Sequence, residues 1–293
     1  VSALVRRRRL AAAAATWRAF AAHRTGLAGL ALLGVIAALA LLAPLLTDAG
    51  GLDVTKATGA PYQPPSAEHW LGTDNSGRSV LLLTWWGTRV SLVVGLAAAV
   101  LSVLIGTVVG VTAAHFRRTE GLLMGATDFF LALPSLVLAI ALSTVLPRGL
   151  ATIVLAIGVT SWPSTARVVR AQTLAVEARP FVERARALGG GHAHVVGRHV
   201  LPAVLPLVLV NTTLAVAGAI ISESTLSFLG LGDPTRVSWG SMLHAASSYG
   251  AVSQRAWWFI LPPGLGVVAV VLAFTLCGRA MESVLIPRLG GHR

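Results

Sequence analysis

Lysine occurs once in this 293-residue chain, at Lys56, and cysteine once, at Cys277. A lone cysteine excludes a disulfide framework or a cysteine-based zinc site within the sequence. Set in an apolar run, Cys277 reads as a small membrane-buried side chain. The scarcity of lysine excludes more. A phosphate-binding P-loop needs Gly-x-x-x-x-Gly-Lys-Ser/Thr, because its backbone amides and its lysine cradle phosphates. Lys56 stands in Val54-Thr-Lys-Ala57, so that motif is absent and the chain is expected not to be an ATP-hydrolysing enzyme. Acids are also few, 11 Asp and Glu against 23 Lys and Arg, and charged residues make up 12% of the chain. No paired carboxylates and no Ser-His-Asp arrangement stand out, which disfavours an intramembrane enzyme.

What the chain has in excess is apolar surface, at 55% hydrophobic residues, too much for an ordinary soluble domain. A net charge of +12 could suggest nucleic acid. The cations, however, fall in short segments between apolar runs and not along one stripe, so no nucleic-acid partner is expected and the lipid bilayer is. Six runs approach the roughly 20 residues that a helix needs to cross the hydrocarbon core: Gly26 to Leu46, Val90 to Ala114, Leu122 to Leu146, Leu150 to Ala166, Leu201 to Ile221 and Trp257 to Cys277. They are continuously apolar, whereas barrel strands alternate, so the expected fold is an all-α membrane protein with six transmembrane helices. The first run could instead be a cleaved signal peptide. Its apolar core is longer than the roughly 7 to 15 residues of a signal, which favours a retained span.

Arginine sets the expected orientation. One face collects Arg6 to Arg9, Arg18, Arg24, Arg117, Arg118, Arg167, Arg170, Arg179, Arg184, Arg186, Arg198, Arg279, Arg288 and Arg293. The other keeps Lys56, Arg78, Arg89, Arg148, Arg236 and Arg255, so both termini are expected in the cytosol. Trp85-Trp86 and Trp257-Trp258 then fall at the outer interface, as an aromatic belt would. The chain divides into a basic cytosolic tail (1–25), a first span (26–46), an extracytoplasmic segment (47–89), a core with the remaining five spans and a cytosolic loop at 170–200 (90–287), and a cytosolic tail (288–293). The segment from Thr47 to Arg89 reads as polar and rich in Gly and Pro, with Ala60-Pro-Tyr-Gln-Pro-Pro65 extended. Ser222 to Ala256 reads as a glycine-bent surface loop with a partly buried aromatic.

The cytosolic loop carries Arg179-Pro-Phe-Val-Glu-Arg-Ala-Arg-Ala-Leu-Gly-Gly-Gly191. Pro180 suits a first helical position and Gly189 to Gly191 a helix end. A helix of about two turns then puts Phe181, Ala185 and Leu188 on one face at i, i+4 and i+7, bordered by Glu183, Arg184 and Arg186. So short a helix needs tertiary or partner contacts. A solvated connector would explain the arginines but not the apolar stripe, so the segment reads as a docking surface.

This segment resembles the cytoplasmic EAA loop of ATP-binding-cassette importer permeases: Glu183, Ala185, Gly189, Leu201 and Pro202 match in register, while Arg184 and His199 depart from the pattern. His69-Trp-Leu-Gly-Thr-Asp-Asn-Ser-Gly-Arg-Ser-Val80 with Trp86-Gly-Thr-Arg-Val-Ser-Leu92, and Phe228-Leu-Gly-Leu-Gly232 with Ser238-Trp-Gly-Ser-Met242, are similar to the dipeptide, oligopeptide and nickel branch, and within it to the second, C-type permease. The likeness spans roughly Arg24 to Pro287. It implies a type I importer permease fold in a bacterial cytoplasmic membrane, a second permease subunit, two cytosolic ATPases carrying ATP and Mg, and an extracytoplasmic substrate-binding protein. It also implies that Phe181, Glu183, Arg184, Ala185, Leu188 and Gly189 form an ATPase-coupling helix, and that this chain holds no cofactor.

Asp128, Asn211 and Glu223 are candidates for the path or a subunit interface. An ionised carboxylate inside a span is a default functional candidate. Asp128 as a proton relay would make the chain a secondary transporter, and pairing with Arg117 or Arg118 is the structural alternative. Glu223 could face the path, the partner subunit or solvent. His192 and His194 invite a metal reading, but no carboxylate or cysteine follows at ligand spacing, so no metal site is expected. Pro134, Pro163 and Pro206 are expected to kink spans, and Gly95, Gly106 and Gly110 to allow close helix approach. The sequence leads to an importer permease for short peptides. Nickel or another small solute, a proton-coupled transporter and a topology-organising membrane protein are the alternatives.

Overall fold

A computed structural model describes residues 11 and 14–285. Arg6 to Arg9 and the 288–293 tail lie outside the described residues. Residues 14–21 are helical, and nine further α-helices follow among the described residues: α1 (Arg24–Leu46), α2 (Val80–His115), α3 (Arg117–Ala132), α4 (Ser135–Val145), α5 (Leu150–Glu177), α6 (Pro180–Ala187), α7 (His192–Phe228), α8 (Trp239–Ser248) and α9 (Trp257–Leu285). The described residues hold no strand, only an isolated bridge between Thr73 and Ser79.

Five of these helices are long and apolar enough to cross a membrane, and a sixth crossing exists if α3 and α4 are taken together. The expected continuous span from Leu122 to Leu146 is broken, the two helices meeting at 88°. Leu133, at φ −92° and ψ 136°, precedes Pro134 and is extended, because a proline ring excludes its predecessor from the α region. Pro163 and Pro206, expected to kink their helices, lie inside α5 and α7, which run on through them.

The spans also extend past their apolar runs. The second begins at Val80, ten residues before the expected Val90, with the Ser79 hydroxyl capping its first turn. At 36 residues it is about 54 Å long against a hydrocarbon core of about 30 Å. The fourth continues beyond Ala166 to Glu177, and the fifth includes a π-helical turn, Val196–Val200, ahead of Leu201. Pro202 has no N–H to donate and its ring crowds the carbonyl a turn earlier, which accounts for the widened turn.

Helix α2 is the spine of the bundle. Its glycines receive neighbours where a side chain would collide: a Cβ on Gly106 would stand 2.7 Å from the Trp162 carbonyl, and one on Gly110 2.6 Å from the Ala166 carbonyl, both on α5. Gly95 is filled by Ile220 of α7. The Gly-x-x-x-Gly spacing is therefore a true close-approach site. Below it, a cluster made entirely of valines (Val103, Val111, Val169, Val176, Val182, Val195, Val200, Val204 and Val208) joins α2, α5, α6 and α7.

The two ends of the bundle are built differently. At one end, the Trp85 indole of α2 donates to the Leu39 carbonyl of α1 and the Trp86 indole to the Thr47 hydroxyl. There the segment between α1 and α2 is folded, not merely extended. Buried Asp74 accepts from the backbone of Ser76 and Arg78 at 2.8 Å each and pairs with the Arg78 guanidinium at 2.7 Å. Gly72, at φ +66°, brings the chain against Trp258, whose indole donates to the Thr73 carbonyl. The Tyr62 hydroxyl donates to the Tyr249 carbonyl at 2.6 Å, and burial pushes its pKa up, keeping the donor proton in place.

The loop expected from Ser222 to Ala256 is about half helical. Ser222 to Phe228 complete α7, and α8 begins at a reciprocal Ser238–Ser241 capping box. Trp239 is buried, its indole donating to the Thr84 carbonyl at 3.0 Å. At the opposite end lie the start of α1, the end of α9, and α6: Ala280 packs on Gly26, and His115 at the end of α2 meets His192 at the start of α7.

Candidate functional site

Helix α6 forms as its residues dictate. Arg179 is extended, Pro180 occupies the first helical position and Glu183 sits in the first turn, where the helix dipole favours an acid. The C-terminus is a Schellman motif: Gly190 N–H donates to the Ala185 carbonyl at 2.9 Å and Gly189 N–H to the Arg186 carbonyl at 3.0 Å, with Gly189 at φ +82°.

The helix presents its apolar residues in two directions. Val182 is 0% exposed and enters the valine cluster, while Phe181 is 45% and Leu188 88% exposed. The stripe read from the sequence thus points outward, and the residue that fixes the helix to the bundle is one that reading passed over. Phe181, Arg184, Ala185 and Leu188 line an open concavity with Gly189 to Gly191, His194 and His199. His199, the departure from the EAA pattern, lies against the Phe181 ring at 6.1 Å and the His194 ring at 5.5 Å. Glu183 and Arg184 are exposed and in no ion pair among the described residues.

A polar chain ties this helix to three spans. Glu177, closing α5, pairs through one oxygen with Nδ1 of His115 on α2 and through the other with Arg186 of α6 at 3.0 Å. Nε2 of His115 meets Nδ1 of His192, the first residue of α7, at 2.8 Å. The sequence signal for this was an acid ending an apolar run beside an arginine-rich stretch, which a reading of cations alone overlooks. His192 is therefore a link between helices, and among the described residues no group of three or more His, Cys, Asp or Glu is placed to hold a metal ion.

A second feature lies where α3 breaks into α4. A cavity of about 580 Å³ is lined by Ser102, Ser135, Thr160, Ser164 and Asn211 among others, with Pro134 at its rim. Asn211 donates to the Thr165 hydroxyl at 2.9 Å. Its lining includes no charged residue. Towards the α6 end, the same α3–α5 face carries Arg167–Asp128 at 2.7 Å and the Arg170–Glu120 pair. Asp128 is thus held by Arg167 of α5 and not by Arg117 or Arg118, because α3 and α5 run antiparallel there and bring these residues level. Its side chain is 60% exposed, and lipid cannot solvate so open an ion pair, so this face looks onto water or protein.

Glu223 has a different setting from the one its sequence suggested. It is fully buried inside the chain, accepting from Ser227 at 2.8 Å and Ser224 at 3.4 Å, with Ser91 of α2 and Ser238 at the cap of α8 also bonded to it. Four hydroxyls from α7, α2 and the α8 cap converge on one carboxylate. It is a clamp between helices, not a wall of a path.

Comparison with known proteins gives concordant results. Residues 102–291 match the family described as binding-protein-dependent transport system inner membrane component, and residues 13–65 match the N-terminal TM domain of oligopeptide transport permease C. A Brucella abortus biovar 1 protein named as a peptide transport system permease is 38% identical over 94% of this chain and 91% of its own. The oligopeptide transport system permease protein OppC of Bacillus subtilis is 35% identical over 92% and 88%. Among solved structures, a chain of the MetNI methionine ABC transporter in inward-facing conformations superposes with a TM-score of 0.56 at 21% identity, covering 70% of this chain and 97% of that one.

Proposed function

The chain belongs to the family of binding-protein-dependent transport system inner membrane components, and on that premise we propose that it is one of two different permease subunits forming the path of an ATP-driven importer of short peptides. Membership brings partners of two general kinds, a substrate-binding protein and an ATPase. The finer assignment is a second permease beside this one, two ATPases on the arginine-rich face, and a binding protein on the other. This chain supplies no catalytic group for ATP: its one lysine is outside any P-loop, and ATP and Mg belong to the ATPases.

The observation that carries the reading is the setting of α6. Its Val182 and Arg186 are held by the bundle while Phe181 and Leu188 are left uncovered, as a helix must be if a partner is to grip one side and move what lies behind the other. Motion imposed on it would reach α5, α2 and α7 together through Glu177, His115 and His192. Nucleotide must favour one global arrangement over another for this to drive transport.

Peptide as cargo rests on the names of the relatives and gains support from the cavity at the α3–α4 break. Hydroxyl and amide groups of Ser102, Ser135, Thr160, Ser164 and Asn211 suit the donors and acceptors of a peptide backbone of any side-chain charge. A nickel path would sooner offer imidazole, thiolate or carboxylate, none of which lines it. A proton relay through Asp128 has less support, since that carboxylate is paired with Arg167.

Vesicles containing the full assembly provide the test. Gly189→Trp and Glu183→Lys should lower both peptide uptake and transport-coupled ATP hydrolysis while the chain inserts normally. Uptake that continues without ATP and follows only a proton gradient would overturn the importer reading. Normal uptake by both variants would remove α6 from it.

A further inference from the structure

The link from α2 to α7 is a contact between two imidazole nitrogens, Nε2 of His115 and Nδ1 of His192, 2.8 Å apart. A hydrogen bond there needs one proton between them. The other nitrogen of His115, Nδ1, faces the Glu177 carboxylate. An ionised carboxylate only accepts, so Nδ1 of His115 carries a proton whatever the state of the pair. With both rings neutral, His192 donates from Nδ1 to the free Nε2 of His115. With one added proton, whichever ring holds it donates to the other. With two, both facing nitrogens carry N–H, neither can accept, and two cations meet at hydrogen-bond distance.

The surroundings decide which ring gives way. The His115 side chain is 1% exposed, and Phe116 closes over the pair, its ring centroid 4.7 Å from that of His115 and 5.2 Å from that of His192. His192 is exposed, so it is the ring that can leave for water. Charge nearby does not relieve the clash. Glu177 of α5 is already shared with Arg186 of α6 at 3.0 Å, and no other acid among the described residues is bonded to either ring. Arg117 and Arg118 at the start of α3 and Arg179 between α5 and α6 are exposed and in no ion pair among the described residues. His194, also on α7, packs on the His199 ring at 5.5 Å instead. Imidazole is the side chain that ordinarily changes charge between about pH 5 and 8.

We propose that the His115–His192 pair is a proton-operated catch between α2 and α7, closed with no added proton or one and opened by a second. Acid on the α6 side frees the start of α7, while Val195 and Val200 stay in the valine cluster and Glu177 keeps α6 on α5 through Arg186. Motion of α6 then still reaches α5 but passes less fully to α7. The catch needs the bundle alone; its effect on uptake rests on the importer reading.

The catch is read first without ATPase or cargo. In nanodiscs holding the full chain with labelled imidazole nitrogens, a nitrogen–nitrogen coupling across the His115–His192 hydrogen bond should be present at about pH 8 and lost by about pH 5. Spin labels at Arg118→Cys and Ala193→Cys should move apart over the same range. They should stay together in His192→Asn, whose amide can donate or accept in place of Nδ1 but takes no proton. A coupling that persists in acid would overturn the proposal, as would labels that stay together in the unaltered pair or part equally in His192→Asn. In vesicles carrying the full assembly, peptide uptake per ATP hydrolysed should fall several-fold over that range, and His192→Asn should flatten the fall. A flat ratio with both histidines present would overturn the catch as a regulator. Loss of ATP-driven uptake at every pH is a different failure, that of the importer reading, and leaves the label readout in force.

Discussion

A single valine decides which way α6 faces. Val182 fills the cluster beneath the helix, so Phe181 and Leu188 turn outward. Val182→Ala should lower the stability of the purified chain by about 2 kcal/mol, since two buried methyls are removed, and should appear as a lower melting temperature. Leu188→Ala should leave melting unchanged and weaken co-purification of the ATPase. Gly189 has a separate role. Because it is left-handed at φ +82°, Gly189→Ala should cost about 1 kcal/mol and fray the end of α6, measurable as faster amide exchange at Gly189 and Gly190. Glu223→Leu tests the buried clamp. It leaves serine hydroxyls without an acceptor and should destabilise the chain by roughly 1–3 kcal/mol, with the 229–256 segment becoming sensitive to protease. Unchanged melting would show that these hydroxyls find other partners.

At the scale of elements, the coupling claim rests on Glu177 more than on any residue of α6 itself, because its carboxylate ties α5 to both α2 and α6 by ion pairs. Glu177→Gln should keep the ATPase bound but reduce peptide uptake per ATP hydrolysed several-fold, a combination that loss of docking would not give. Pro134→Ala tests the break between α3 and α4. It restores an N–H and frees Leu133 to become helical, so spin labels at the two helix ends should move apart as the 88° bend opens. Apolar runs announced that helices exist but not where they stop. Val80 to Arg89 looked like an outer segment because it holds Thr84, Trp85, Trp86 and Arg89; Thr84, Trp85 and Trp86 find partners on α8, on α1 and at Thr47 that lie far off in sequence. Arg167 and Arg170 looked like the end of a span because the acids that offset them, Asp128 and Glu120, come from α3. By contrast, the Pro start and Gly stop of α6 were fully legible, since caps are local chemistry.

At the scale of the whole molecule, the two ends divide the labour. One is a folded cap in which Tyr62 bonds to Tyr249 across the segments between α1 and α2 and between α7 and α9, Trp239 bonds to Thr84 of α2, and Trp258 of α9 bonds to Thr73. The other gathers most of the described arginines, α6 and both ends of the described chain. The sequence could sort its cations onto two faces without knowing the fold, because topology leaves its mark on short loops. It could not show that the face carrying Asp128 is open, nor that Glu223 is shut inside, because burial depends on which helices pack together. The most direct test of α6 as the attachment point of the ATPase is site-specific crosslinking. The native thiol, Cys277, is buried, so Leu188→Cys introduces an isolated exposed thiol. In vesicles carrying the assembly, it should crosslink to the ATPase in high yield, with a yield that changes when ATP binds, while Leu122→Cys on the exposed face of α3 should not. A Leu188→Cys chain that transports peptide yet never crosslinks to the ATPase would contradict the account.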